Sequence, residues 1–136
     1  MGVTGASTAL RPFRRVLVYS PELDGRADPG EVVWTWVTYE ENQSRGKDRP
    51  VLVIGRDGER LFALLLSSRR RRSRDVDWLS LRTGAWDRLR RPSWLRLDRV
   101  LELTDDAIRR EGAALVASEF ERVSAAMTLR GWTAGS

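Results

Sequence analysis

The chain contains no cysteine and no histidine. The first absence removes disulfides, thiolate zinc sites, iron–sulfur clusters and thiol nucleophiles. The second removes the Ser-His-Asp triad and leaves proton transfer to Asp, Glu, Tyr, Lys or Arg, or leaves catalysis to electrostatics. Lysine is nearly missing as well: Lys47 stands alone among 24 basic residues. No apolar run is long enough to span a bilayer. The opening "MGVTGASTALRPFRR" has no apolar segment after a basic start, so it does not read as a secretory signal. These features fit a cytoplasmic protein with no membrane partner. No internal repeat is visible.

What remains is a chain of 136 residues, 41% hydrophobic and 32% charged, with a formal net charge of +5. That length and composition fit one soluble domain with a modest core. The arginine excess has two readings. It reflects codon usage in a GC-rich genome, or it marks a polyanion partner, because guanidinium groups fork onto phosphates.

Residues 1–28 read as a partly flexible N-terminal extension, with "RRVLVYS" as a possible strand and "PELDGRADPG" as loop. Residues 29–130 read as the folded domain and 131–136 as a tail. "EVVWTWVTY" has strong β composition, and both of its faces are largely apolar, as in a barrel strand or a subunit contact. "EENQSRGKD" reads as a long polar loop. "RPVLVIGRDGERLFALLLSS" reads as two strands around an Asp57-Gly58 turn, with Pro50 holding Arg49 extended. "VDWLSL" and "SWLRLDRVLEL" are further strands, the second placing Trp94 and Arg96 on one side and Leu95 and Leu97 on the other. "TDDAIRREGAAL" is ambiguous between a helical turn and a short strand. Ser118 and Glu121 have the spacing of a capping box, followed by Phe120, Val123 and Met127 on one helical face. Consecutive short strands and one late helix predict a mainly β fold with α: a small antiparallel barrel with the helix packed on it.

Three basic clusters stand out: "SRGKDR" with Arg45 and Lys47, "SSRRRRSR" with Ser67 and Ser68 ahead of Arg69, Arg70, Arg71 and Arg72, and "DRLRRPSWLR". Counting back from the turn brings Arg49 near Ser67 at the open end of the hairpin. A basic loop, two hydroxyls and an arginine run would then share one rim. Five tryptophans are interleaved with these clusters. They are core residues, or they are stacking platforms for single-stranded nucleic acid. Trp86, in a polar loop, is the one best suited to exposure. Arg49 itself has an ordinary alternative, a salt bridge with Asp48 or Glu31.

The ordered set "GEVVWTW…RGKDRPVLVIGRDGERLFALLLSS…SWLRLDRVLEL", followed by a helix, resembles the PemK/MazF toxins of bacterial type II toxin–antitoxin systems from about Gly30 to Met127. The resemblance implies a small SH3-like β-barrel of the plasmid-toxin type, commonly a homodimer. It implies a growth-inhibiting, metal-independent endoribonuclease (a hydrolase) that cuts single-stranded RNA at short sequences and uses no cofactor. It implies a cognate antitoxin whose extended acidic segment occupies the RNA groove. Arg49, before the proline, and Ser67, at the end of the following strand, match the family's catalytic arginine and threonine. Arg45, Lys47, Ser68, Arg69 to Arg72 and Trp86 are then the RNA-binding candidates. The sequence departs from the family pattern in having serine for threonine, Leu65-Leu66-Ser67 where a proline is frequent, the arginine run, and the N-terminal extension. Two other functions stay open: a non-catalytic RNA- or DNA-binding barrel, and inhibition of a protein target such as gyrase.

Overall fold

In the computed structural model, residues 6–7, 16–17, 29–38, 42, 44–69, 76–81 and 92–134 are described. In chain order the strands are β1 (Ala6–Ser7), β2 (Val16–Leu17), β3 (Glu31–Thr38), β4 (Gly46–Asp57), β5 (Arg60–Ser67), β6 (Trp78–Leu81), β7 (Ser93–Thr104) and β8 (Ile108–Ala114). The helix α1 (Ala117–Thr128) and β9 (Thr133–Ala134) complete the order.

β-branched and aromatic residues in β3 and β4 fit a pleated, buried surface, and the two strands pair antiparallel from Val32↔Leu52 to Thr38↔Gly46. The main sheet runs β1-β7-β5-β4-β3-β8, with β6 also on β7. All its pairings are antiparallel. The fold is therefore mainly β with one C-terminal helix, as the sequence implied. Its hydrogen-bonded ladder is open, however, ending in β1 and β8 among the described residues rather than closing on itself.

Alternation divides the sheet's apolar residues between two faces. Leu52, Ile54, Leu64 and Leu66 look toward α1, where Phe120, Val123 and Met127 are buried on the predicted helical face. Val51, Val53, Ala63 and Leu65 form the opposite cluster with Leu101 and Leu103. Thr35 lies fully buried on that side and donates its hydroxyl to the Ala107 carbonyl oxygen at 2.7 Å.

The structure sharpens four local readings. The helix starts at Ala117 with Val116 as its cap and no side-chain cap bond. Ser118 thus lies inside the first turn, exposed, and does not cap. The ambiguous stretch after Leu103 is both things in turn: a 3₁₀ turn at Asp105–Ala107, then β8. β4 begins at Gly46, so Lys47 and Asp48 are strand residues rather than loop. Their polar side chains do not prevent pairing, because β3 supplies backbone partners as far as Thr38. Finally, Thr133–Ala134 of the terminal segment pairs in parallel with Val16–Leu17, next to a buried Trp132 whose ring meets Phe62 edge-on at 6.4 Å.

No helix among the described residues is long and apolar enough to cross a membrane.

Candidate functional site

The open end of the β4–β5 hairpin gathers the first group of predicted residues. The hairpin closes through Asp57↔Arg60, so its two turn residues are Gly58 and Glu59. Gly58 takes φ +62°, a left-handed conformation that favours glycine. The predicted turn was one residue earlier. A straight ladder from the observed turn would bring Arg49 opposite Ser68. It does not run straight: Val53 pairs with Ala63 and Gly55 with Phe62, leaving Ile54 as an extra residue. This bulge shifts the register by one. The ladder ends at Val51↔Leu65; the same register continued two residues along each strand would bring Arg49 toward Ser67.

On its other side Arg49 pairs with Thr35 of β3. Period-two alternation puts Lys47, Arg49, Val51 and Val53 on one face of β4, and Ala63, Leu65 and Ser67 on the matching face of β5. Arg49 is half-buried and Lys47 exposed. Ser67 is only 6% exposed, and its Oγ accepts the backbone N–H of Arg69 at 3.2 Å. Ser68 is half-buried and Arg69 exposed.

The electrostatics report the same gathering. The Arg49 guanidinium, then partial burial, then the charge of Arg69 hold the Lys47 ammonium below its ordinary pKa. Both arginines therefore lie within electrostatic reach of one lysine. Asp48, the acid proposed to neutralise Arg49, points to the reverse face and engages Arg109 of β8 at 2.9 Å. Glu31 is buried at the far end of β3.

Gly46 explains how β4 comes so close to β3 here. A Cβ at that position would press into the Val37 carbonyl oxygen and lie 2.9 Å from Thr38 Cα. Arg45, just before it, is exposed and donates its backbone N–H to the Asn42 carbonyl oxygen at 3.1 Å.

The tryptophans divide. Trp94 and Trp132 are buried. Trp34 and Trp78 are half-buried, and Arg96 stands 6.0 Å over the Trp78 ring. Trp36 is 40% exposed, on the β3 face opposite Thr35 and Val37. Arg70, Arg71, Arg72 and Trp86 lie outside the described residues. Among the described residues no group of His, Cys, Asp and Glu is arranged to hold a metal ion.

Residues 28–129 match the PemK-like, MazF-like toxins of type II toxin–antitoxin systems. The chain belongs to this toxin family. The match starts just before β3 and ends just past α1, so the hairpin, the rim and the helix are all within it. No curated protein matches the chain. Within the toxin, Thr35 and Gly46 are site-adjacent residues that no sequence motif marks. Thr35 and Gly46 are recognisable only once β3–β4 register is known. Trp36, one of the five tryptophans weighed as core residues or stacking platforms, is exposed on the face away from Arg49.

Proposed function

We propose that the protein is an endoribonuclease toxin that cuts single-stranded RNA, mRNA included, at a short sequence without a metal ion and is silenced by a cognate antitoxin. One observation carries this reading. The hairpin register runs from Val51↔Leu65 toward Arg49 and Ser67, Arg49 and Arg69 both act on Lys47, and the family to which the chain belongs is a toxin family. Residues 29–130 are the working unit in this reading, as a cytoplasmic homodimer, with RNA and the acidic antitoxin segment competing for the rim.

The chemistry is attack of a ribose 2′-OH on the adjacent phosphorus, leaving a 2′,3′-cyclic phosphate and a 5′-OH. Negative charge grows on the phosphoryl oxygens, and donors fixed there lower the barrier. The Arg49 guanidinium is planar, always charged and able to hold two oxygens at once. A guanidinium stays protonated at any working pH, which makes it a charge stabiliser and a poor proton-transfer group. The Ser67 hydroxyl accepts from Arg69 N–H, which leaves its own proton to donate to a phosphate oxygen or to align the 2′-OH. Arg45, Ser68, Arg69 and the arginine run supply phosphate contacts, and Trp86 a stacking surface.

The test is digestion of a long RNA in EDTA by wild type, Arg49→Ala and Ser67→Ala, with folding checked by circular dichroism and the product ends identified. Cyclic-phosphate ends from wild type and a large loss in both variants support the assignment. Unchanged cleavage in both variants sinks the roles given to these residues. Salt-sensitive binding of intact RNA identifies a non-catalytic binding barrel instead, and a supercoiling assay run in parallel detects a gyrase inhibitor.

A further inference from the structure

We propose that Lys47 is the general acid of this site, the group that protonates the 5′-oxygen as it leaves phosphorus. The inference rests on the RNA-cleavage reading and assigns the proton transfer which Arg49 is unsuited to perform.

Of 24 basic residues only one is lysine, and it stands two residues from Arg49 on the same face of β4. Residues i and i+2 of a strand are about 7 Å apart. Two long side chains starting from such positions reach one phosphate, Arg49 at the non-bridging oxygens and Lys47 at the leaving oxygen. An arginine in place of Lys47 would bind phosphate as well. It would not exchange protons near neutrality. A lysine can, and a lysine among like charges does so more readily.

The neighbours of Lys47 fit this use. Arg49 faces it from its own strand and Arg69 from the chain leaving β5, and both make its ammonium more acidic. Its cross-strand partner on β3 is Val37, which carries no charge. Asp48 and its partner Arg109 lie on the reverse face. With histidine and cysteine absent, Lys47 is the group best able to release a proton among the described residues of this face. A catalytic acid works best when its pKa approaches the working pH, so the two flanking guanidinium groups serve the acid as well as the phosphate.

The 2′-oxygen forms its bond to phosphorus while its proton passes to water. The bond from phosphorus to the 5′-oxygen breaks, and the Lys47 ammonium delivers a proton to that oxygen. The neutral amine then recovers a proton from solvent.

The test uses Lys47→Arg, which keeps the charge and removes the acid, with Lys47→Gln as a second exposed-site variant. Two RNA substrates are compared, one normal and one with sulfur replacing the bridging 5′-oxygen at the cleaved bond. A thiolate leaves without a proton. Lys47→Arg is expected to lower kcat on the normal RNA by roughly 10²–10³ with KM little changed. It should regain wild-type kcat on the sulfur substrate. The wild-type profile of kcat/KM should bend downward as pH rises through the Lys47 pKa, and that bend should be missing in Lys47→Arg. Wild-type kcat in Lys47→Arg on normal RNA overturns the proposal, as does an equal deficit on both substrates. If wild type cuts neither RNA, the endoribonuclease reading falls, and this inference falls with it.

Discussion

Ser67 and Arg69 are tied side chain to backbone: the Ser67 Oγ accepts the Arg69 N–H at 3.2 Å, at a position where Ser67 is almost wholly buried. The hydroxyl thus turns the chain as it leaves β5 and fixes the start of the arginine run. Ser67→Ala removes this bond at a cost of about 1 kcal/mol in folding stability. In the proposed mechanism it also removes a donor, lowering kcat/KM by roughly 10²–10³. Ser67→Thr keeps the hydroxyl and adds a methyl that restricts its rotamer, so activity should be retained. Urea unfolding and RNA cleavage on the same preparations separate the two effects. Activity falling only in step with stability would make Ser67 a turn residue alone.

Gly46 controls the rim from the β3 side. An alanine there sets a methyl against the Val37 carbonyl and the Thr38 backbone, and β4 must move away from β3 at its first residue. Lys47 and Arg49 follow immediately, so they move with it. Gly46→Ala should cost about 1–3 kcal/mol, the range for overpacking, and reduce cleavage more than that loss of folded protein explains. Cleavage measured well below the unfolding midpoint, per folded molecule, checks this. Wild-type kcat there would show that the rim does not depend on the close approach.

Phosphate binding by the arginine run acts on affinity in a way that salt reveals. Substituting Arg70, Arg71 and Arg72 with glutamine, and keeping Arg69 beside Lys47, should weaken RNA binding. The slope of log K against log salt should become shallower by about 0.7 for each phosphate of a single strand that is no longer neutralised. The kcat should stay near wild type, because the assigned chemistry uses Arg49, Ser67 and Lys47. Fluorescence anisotropy over a salt series gives the slope. An unchanged slope would remove the run from the binding surface.

The mainly β fold and the helix face were readable because each has a period. Phe120, Val123 and Met127 repeat at helical spacing, and all three are buried. The register of the β4–β5 hairpin, which directs Arg49 toward Ser67, was reachable only approximately. The glycine of the turn takes the first loop position instead of the second, and the bulge at Ile54 shifts the ladder again. Neither shift leaves a mark in "VLVIGRDGERLFALLL", because both faces of β4 and β5 are apolar and a one-residue slip exchanges one buried set for another. The capping-box pattern at Ser118 misled for a different reason. Leu115 is held by the Gly30 carbonyl and buried, and the helix starts directly after it at Ala117, ahead of the serine. Tertiary anchoring, not the local motif, sets that boundary.

Arg96 and Asp98 form the clearest pH-dependent pair. Both lie on one face of β7, with Nε to Oδ1 at 2.6 Å and Nη2 to Oδ2 at 3.3 Å. Burial alone would raise the Asp98 pKa; the Arg96 hydrogen bond and charge, helped by its own backbone and by Arg130, outweigh it and leave the carboxyl below its ordinary value. A depressed folded-state pKa means that the carboxylate form is the one that stabilises the fold. That contribution is complete above the unfolded-state value of about 3.9 and disappears as pH falls through the folded-state value. The Asp98 side chain is 34% exposed, so solvent screening limits the pair to less than about 1 kcal/mol. Asp98→Asn should therefore be slightly less stable than wild type at neutral pH, and the gap should close in strong acid. Urea midpoints across that range test the sign. A gap that widened on acidification would mean that the protonated carboxyl, and not the ion pair, holds β7 at this point.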